Sequence, residues 1–89
     1  MDRTCEQEIA ELLLFMVRTI VDHPDNVRVE PISNQEGTVF LTQVHVGDMG
    51  KLIGKEGKTA RALRIIVAAA GMKLKRRFDI DIVQEVPQG

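Results

Sequence analysis

A tetrapeptide with glycine at both ends, Gly54-Lys55-Glu56-Gly57, is flanked by basic residues: Lys51 precedes it, and Lys58, Arg61 and Arg64 follow. Glycine has no Cβ, so an anionic backbone can approach the main chain closely, while lysine and arginine supply positive charge. A helix beginning after Gly57 would add the positive end of its dipole. On such a helix the three following cations step about 60° around the axis each time, which gives a slanted stripe. The pattern predicts a phosphate-binding site that can follow a strand.

The charge of the chain is unevenly distributed. The net charge is −1 and the isoelectric point is near 6.1, an average that by itself argues against nucleic-acid binding. Residues 51–77, however, hold nine of the twelve basic residues and one of the thirteen acidic ones. This segment offers a local positive field to a polyanion, and the acidic remainder limits nonspecific adhesion. Taken alone, the same charge run also fits a solvated helix face.

Length and composition favour one small globular domain. The chain has 89 residues, 44% hydrophobic and 28% charged, so we expect a single domain over 1–89 with its core at about 5–84. The single cysteine, Cys5, cannot form an internal disulfide or a Cys/His zinc cluster, so we expect no metal and no cofactor. No apolar run is long enough for a membrane span, and the acidic start is unlike a secretory signal. These features predict a soluble, cytoplasmic protein.

The first half of the chain predicts a helix and two strands. Thr4, with a glutamine three residues later, has the spacing of a capping box, and apolar residues at helical spacing predict a helix over 5–22. Pro24 cannot continue that helix. Alternating residues predict one strand over 27–31 and a more buried strand over 38–46, which we expect to form a hairpin.

The second half predicts two helices and a strand. Asp48 has the position of an N-cap for a short helix over 49–53, and a longer helix resumes at about Lys58. Gly71 is expected to end this helix in the left-handed conformation. Alternation over 78–82 indicates a last strand. The fold class is therefore α+β with the order αββααβ.

The segment from Leu52 to Arg61 resembles the I-G-x-x-G signature of KH domains, and the element order resembles the type II, prokaryotic topology. The segment from Asp48 to Gly54, the break at His23-Pro24 and the length resemble the small single-domain KH proteins of the KhpA/YlqC group. The resemblance implies a three-stranded sheet backed by three helices. It also implies a groove for about four nucleotides of single-stranded RNA, with their backbone on the GxxG loop.

The resemblance assigns Gly54 to Gly57 to the clamp and Ile53 to the apolar groove, with Leu63 and the strand from Phe78 as further walls. Glu56 places an acid in the clamp and is expected to weaken binding without abolishing it. Together with the cations around the loop, the RNA-binding residues are expected to be Lys51, Ile53, Gly54, Lys55, Glu56, Gly57, Lys58, Arg61 and Arg64.

Aromatic residues are too few for a base-stacking platform. The chain has no Trp or Tyr and only Phe15, Phe40 and Phe78. The stacking surfaces that RRM and cold-shock folds use therefore cannot be assembled, whereas an aliphatic groove can.

The resemblance also implies pairing between KH proteins. Family members pair with themselves or with a larger KH-domain protein, so a homodimer or heterodimer is expected, acting as a post-transcriptional regulator or RNA chaperone. Ala62, Ile65 and Ala69 lie at helical spacing, small and apolar enough for a second helix to approach.

Two other function classes compete with RNA binding. Gly57-Lys58-Thr59 resembles the end of a P-loop, but Leu52 stands where that motif requires glycine, and the chain is too short for a nucleotide-hydrolysing fold. Cys5, His23 and His45 have no spacing that predicts catalytic pairing, so no enzyme is expected. A protein-interaction module that keeps the KH fold without using nucleic acid remains the alternative.

Overall fold

The computed structural model describes residues 5–85. Its elements follow the predicted order αββααβ, which confirms the α+β class: α1 (Cys5–Ile20), β1 (Arg28–Ser33), β2 (Gly37–Val44), α2 (Met49–Ile53), α3 (Lys58–Lys73) and β3 (Arg77–Gln84). Short 3₁₀ turns lie at Pro24–Asn26, Val46–Asp48 and Lys55–Gly57.

The three strands form one mixed sheet in the order β1-β2-β3. β1 and β2 are an antiparallel hairpin, whereas β3 runs parallel to β2 with Gly37 opposite Arg77. A parallel pair needs a crossover connection, and here α2, the glycine loop and α3 form it. Pro31 lies in the edge strand β1, as its missing N–H requires.

The three helices cover one face of the sheet. The even-numbered positions of β2 and β3 face the helices, and their large core residues are Phe40, Val44, Phe78 and Ile80. The helices complete the core with residues at helical spacing: Ala10, Leu13 and Val17 from α1, Leu52 from α2, and Leu63 and Val67 from α3. Burying each large apolar side chain contributes about 1.5–3 kcal/mol, so this layer of contacts holds the crossover on the sheet.

Several predicted boundaries differ from the observed ones. α1 ends at Ile20, two residues early, because the chain turns before Pro24. β2 ends at Val44 because Val46–Asp48 forms a turn. The prediction that Gly71 ends α3 was wrong: the helix continues to Lys73, and Lys75 takes the positive φ of 57°.

Packing explains the glycine within α3. A Cβ on Gly71 would lie 2.6 Å from the backbone oxygen of Arg76 and 2.9 Å from Cγ of Phe78. Gly71 therefore lets the end of α3 pack directly on the start of β3.

Asp48 is the N-cap residue of α2, as predicted, but its side chain makes no capping hydrogen bond. Its buried carboxylate instead accepts hydrogen bonds from the backbone N–H of Asp22 at 3.1 Å and of His23 at 2.9 Å, and it lies 3.0 Å from Nδ1 of His23. Desolvation raises the pKa of Asp48, but these hydrogen bonds outweigh it and hold the pKa below its ordinary value of 3.8. The carboxylate thus ties the end of α1 to the start of α2.

The His23 ring also stacks on His45, with ring centroids 3.9 Å apart. The predicted capping box begins at Thr4, which lies outside the described residues.

Within 5–85, no helix has the length and hydropathy needed to cross a bilayer.

Candidate nucleic-acid interface

The glycine loop between α2 and α3 has an unusual backbone. Gly54, Glu56 and Gly57 all have positive φ, at 78°, 57° and 74°. The N–H of Gly54 donates to Gly50 O at 2.9 Å, and that of Gly57 donates to Gly54 O at 3.1 Å. The loop is therefore a tight, internally bonded turn.

The two glycines of the loop are required for different reasons. Gly54 combines φ 78° with ψ 171°, a region that only glycine adopts readily, and a Cβ there would lie 2.9 Å from the backbone N of Thr59. Gly57 has φ 74° and ψ 15°, and a Cβ there would meet no atom within 4 Å. Gly54 thus permits close helix-to-helix contact, whereas Gly57 leaves an open approach to the start of α3.

The cations around this loop are exposed and largely unpaired. Among residues 5–85, Lys55, Lys58 and Arg61 make no ion pair, so their charges are available to a ligand. Lys51 lies 3.1 Å from Asp22, but both side chains are half or more exposed, and such pairs contribute little. α3 begins without a side-chain cap, which leaves its first turn open to an anion.

Apolar surface adjoins the loop on the α2 side. Ile53, the residue before Gly54, is 40% exposed although it belongs to a short helix beside the core. Leu63, by contrast, is buried among the core residues, so its expected place in the groove wall was wrong. Phe78 is buried as well, yet it borders a surface pocket on the β3 side of α3.

That pocket has a volume of about 520 Å³ and lies between α3 and the starts of β2 and β3. Arg61 and Arg64 line it from α3, and Arg77 lines it from β3. Arg77 belongs to the basic segment 51–77 but is not among the predicted RNA-binding residues. Only the parallel pairing of β2 with β3 brings it beside the α3 arginines.

Arg64 also contacts the edge of the sheet. Its Nε donates to the backbone oxygen of Ile80 at 3.4 Å and lies 3.8 Å from Oδ1 of Asp79. These contacts hold the guanidinium across the gap between α3 and β3, where it can reach a ligand in the pocket.

Ala62, Ile65 and Ala69 are all exposed on α3. Ile65 is 63% exposed and also lines the pocket, whereas Ala62 and Ala69 do not. The three residues therefore leave an apolar surface on α3 uncovered in the single chain.

The αββααβ order, the mixed sheet and a GxxG loop between two helices in the crossover together define a KH domain of type II. The family model described as the KH domain of KhpA/KhpB matches residues 10–82. The chain belongs to this family. Because its members are not enzymes, the expectation that the chain is not an enzyme is confirmed, and the P-loop alternative is excluded.

Bacterial relatives extend over most of this chain. The RNA-binding protein KhpA of Halalkalibacterium halodurans is 46% identical over 72 residues, covering 81% of this chain and 95% of the relative. The RNA-binding protein KhpA of Bacillus subtilis is 36% identical over 77 residues, covering 86% and 95%.

Among solved structures, Aquifex aeolicus Era bound to GDP.AlF4⁻ matches with a TM-score of 0.63 and 16% identity. The match covers 97% of this chain and 33% of that chain. At this identity the likeness concerns the fold alone.

Proposed function

We propose that this chain binds single-stranded RNA, with the sugar-phosphate backbone on Gly54 to Gly57 and about four bases along the apolar surface beside Ile53. One observation carries the proposal: a tight glycine turn opens onto the uncapped start of α3, beside the exposed cations Lys55, Lys58 and Arg61, which make no ion pair within residues 5–85. Relatives named RNA-binding protein KhpA support it.

The groups around the loop make different contacts with the RNA. The open side of Gly57 admits a phosphate close to the main chain, and Lys55 and Lys58 neutralise its charge. Arg61 and Arg64 carry the positive field further along α3, while Ile53 offers an aliphatic contact to a base. Glu56 is exposed in the clamp and opposes an incoming phosphate, so we expect modest affinity for one site.

Titration with RNA tests this proposal. We expect the backbone amide resonances of Gly54 to Gly57 to shift at low ionic strength when a degenerate tetraribonucleotide is added, while that of Arg28 on β1 does not. For three or four neutralised phosphates, log affinity should fall with log salt at a slope of about −2 to −3. A parallel titration with single-stranded DNA measures the preference for ribose. If the amide resonances of Gly54 to Gly57 do not shift, the assigned clamp is contradicted. The alternative would then be a protein-interaction module that keeps the KH fold without using nucleic acid.

We further propose that the single domain acts in the cytoplasm as a dimer, with itself or with a larger KH-domain protein, in RNA regulation or chaperoning. The exposed surface formed by Ala62, Ile65 and Ala69 supports a helix-to-helix contact. Two linked sites would raise the affinity for one strand through effective concentration.

Sedimentation tests the self-association. A two-chain species is expected at high micromolar concentration, and Ala69→Glu should convert it to the monomer because it buries an unpaired charge in the contact. A wild-type protein that remains monomeric at that concentration would contradict the homodimer.

A further inference from the structure

One face of the sheet is not covered by the helices. It carries the odd-numbered residues of β2 and β3 and the residues of β1 that pair with them. Its centre is apolar: Val39 and Leu41 are partly exposed on the central strand, and Ile32, beside Val39 on β1, is 48% exposed. With the acidic residues that flank this centre, the outer sheet face consists of Glu30, Ile32, Val39, Leu41, Asp79 and Asp81. Apolar surface with a polar rim is typical of a protein interaction site.

Carboxylates lie on both sides of this apolar centre. Glu30 on β1 and Asp81 on β3 are the two neighbours of Leu41, so the three residues form one row across the sheet. Because neighbouring strands are about 4.8 Å apart, the Cα atoms of the two acidic residues are about 10 Å apart. Both acidic side chains are exposed, and neither makes an ion pair within residues 5–85. Their negative charges are therefore available to a partner.

The outer sheet face is distinct from the proposed RNA site. Of its residues, only Val39 and Asp79 border the pocket between α3 and β3. Its carboxylates repel phosphate, in contrast to the cations around Gly54 to Gly57. The charge of the face therefore favours a positively charged protein surface over a nucleic acid.

A second copy of this chain does not complement the outer sheet face. If two copies packed sheet on sheet about a two-fold axis along the strands, β1 of one copy would lie over β3 of the other, and Glu30 would face Asp81. An axis across the strands at Leu41 would place each of these acidic residues over its own counterpart. Because like charges in an interface are costly, both arrangements are disfavoured.

The edges of the sheet are unsuited to the addition of a partner strand. β1 contains Pro31, which has no N–H to donate. On β3, the N–H of Ile80 already donates to Oδ1 of Asp79 at 2.8 Å, and its backbone oxygen accepts from Nε of Arg64 at 3.4 Å. A partner is therefore expected on the side chains of the face and not on the backbone of an edge.

We propose that the outer sheet face docks a basic amphipathic helix of a partner protein. The helix lies along β2, with its apolar stripe on Ile32, Val39 and Leu41. A helix with its side chains is about 10–12 Å wide, which matches the spacing of the two flanking carboxylates. Lysine or arginine residues on the two flanks of the helix therefore reach Glu30 on one side and Asp81 on the other.

The basic residues of this side of the sheet leave the docking position free. Arg28 pairs with Gln43 and Arg77 pairs with Gly37, so the two arginines lie at opposite ends of β2, beyond the apolar centre. The middle of the face, where the helix lies, therefore keeps its negative charge.

Two synthetic peptides of about 18 residues test the proposal. One has leucine at helical spacing on one face and lysine elsewhere, and the other has glutamate in place of every lysine. We expect the lysine peptide to bind about tenfold or more tightly than the glutamate peptide, measured by fluorescence anisotropy. It should shift the backbone amide resonances of Glu30, Leu41 and Asp81 and leave those of Gly54 to Gly57 in place. Equal binding of both peptides, or shifts confined to other elements, would overturn the proposal.

Charge reversal on the face provides the second test. Glu30→Lys with Asp81→Lys should weaken binding of the lysine peptide about tenfold or more, because both contacts become repulsive. Glu8→Lys with Asp25→Lys is the matched control, since it makes the same change of net charge at exposed positions away from the face. Circular dichroism checks that both variants fold. Equal losses of affinity in the two variants would indicate a general charge effect and overturn the assignment.

Sedimentation of the free protein distinguishes a partner helix from a second copy. We expect the sedimentation coefficient of Glu30→Lys with Asp81→Lys to equal that of wild type at the same concentration. A smaller coefficient for the variant would show that another copy of the chain occupies the face, and would overturn the proposal.

Discussion

The double substitution Lys55→Asp with Glu56→Asp should remove RNA binding while leaving the fold intact. Both side chains are exposed, and aspartate tolerates the left-handed backbone at position 56, where φ is 57°, so folding should not suffer. Lys55→Asp replaces a cation of the proposed clamp, next to Gly54, with an anion that would repel a phosphate. We expect affinity for a tetraribonucleotide to fall by about 30-fold or more at low salt, measured by fluorescence anisotropy.

Lys73→Asp provides the matched control for this reversal. It makes the same change of net charge at the far end of α3, some 22 Å from Lys58 by helical rise. We expect it to lower affinity by about threefold at most, through the long-range field alone. If the two variants bind RNA equally weakly, net charge decides binding and the glycine loop has no special part in it.

Removing the buried carboxylate of Asp48 should have the largest effect on stability. Asp48→Ala leaves the backbone N–H groups of Asp22 and His23 without their acceptor. The ion pair between Lys51 and Asp22 also connects these segments, but it is exposed and contributes little. We expect the melting temperature, followed by circular dichroism, to fall by about 10 °C or more. A fall of the size produced by an exposed substitution such as Asp25→Ala would contradict this role.

The lowered pKa of Asp48 gives this carboxylate a defined pH dependence. The ionised form is favoured in the folded protein, so its contribution to stability is fully present above the ordinary value of 3.8 and is lost as pH falls through the lower folded pKa. Asp48→Asn keeps an oxygen acceptor but cannot ionise. We expect urea unfolding to show that wild type loses its advantage over this variant as the pH falls below about 3.8. Parallel stability curves would contradict the assignment.

Much of the fold could be predicted from the sequence, because the residue patterns that indicate its helices, strands and turns are local. The apolar spacing of α1 and α3, the alternation in β2 and β3, and the two glycines between helices each lie within one short segment. The GxxG loop could be recognised for the same reason, since Gly54 and Gly57 allow the positive φ angles that the turn itself requires.

The missed features depend on contacts between distant segments. The acceptor role of Asp48 requires the backbone of Asp22 and His23, which lie 26 and 25 residues away in the chain. Arg77 meets the α3 arginines only because β3 runs parallel to β2. Leu63 has the spacing of both a core and a groove residue, and only packing decides that it is buried. The assigned RNA-binding and dimer residues remain predictions.

The crossover between β2 and β3 has a consequence for cooperativity. Because both ends of the segment carrying Gly54 to Gly57 are anchored in neighbouring strands, the glycine turn belongs to a closed circuit of chain that begins at Gly37 and returns at Arg77. Detaching β3 from β2 would therefore open this circuit. A ligand that binds the turn only in the folded domain therefore also stabilises the pairing of β3 with β2.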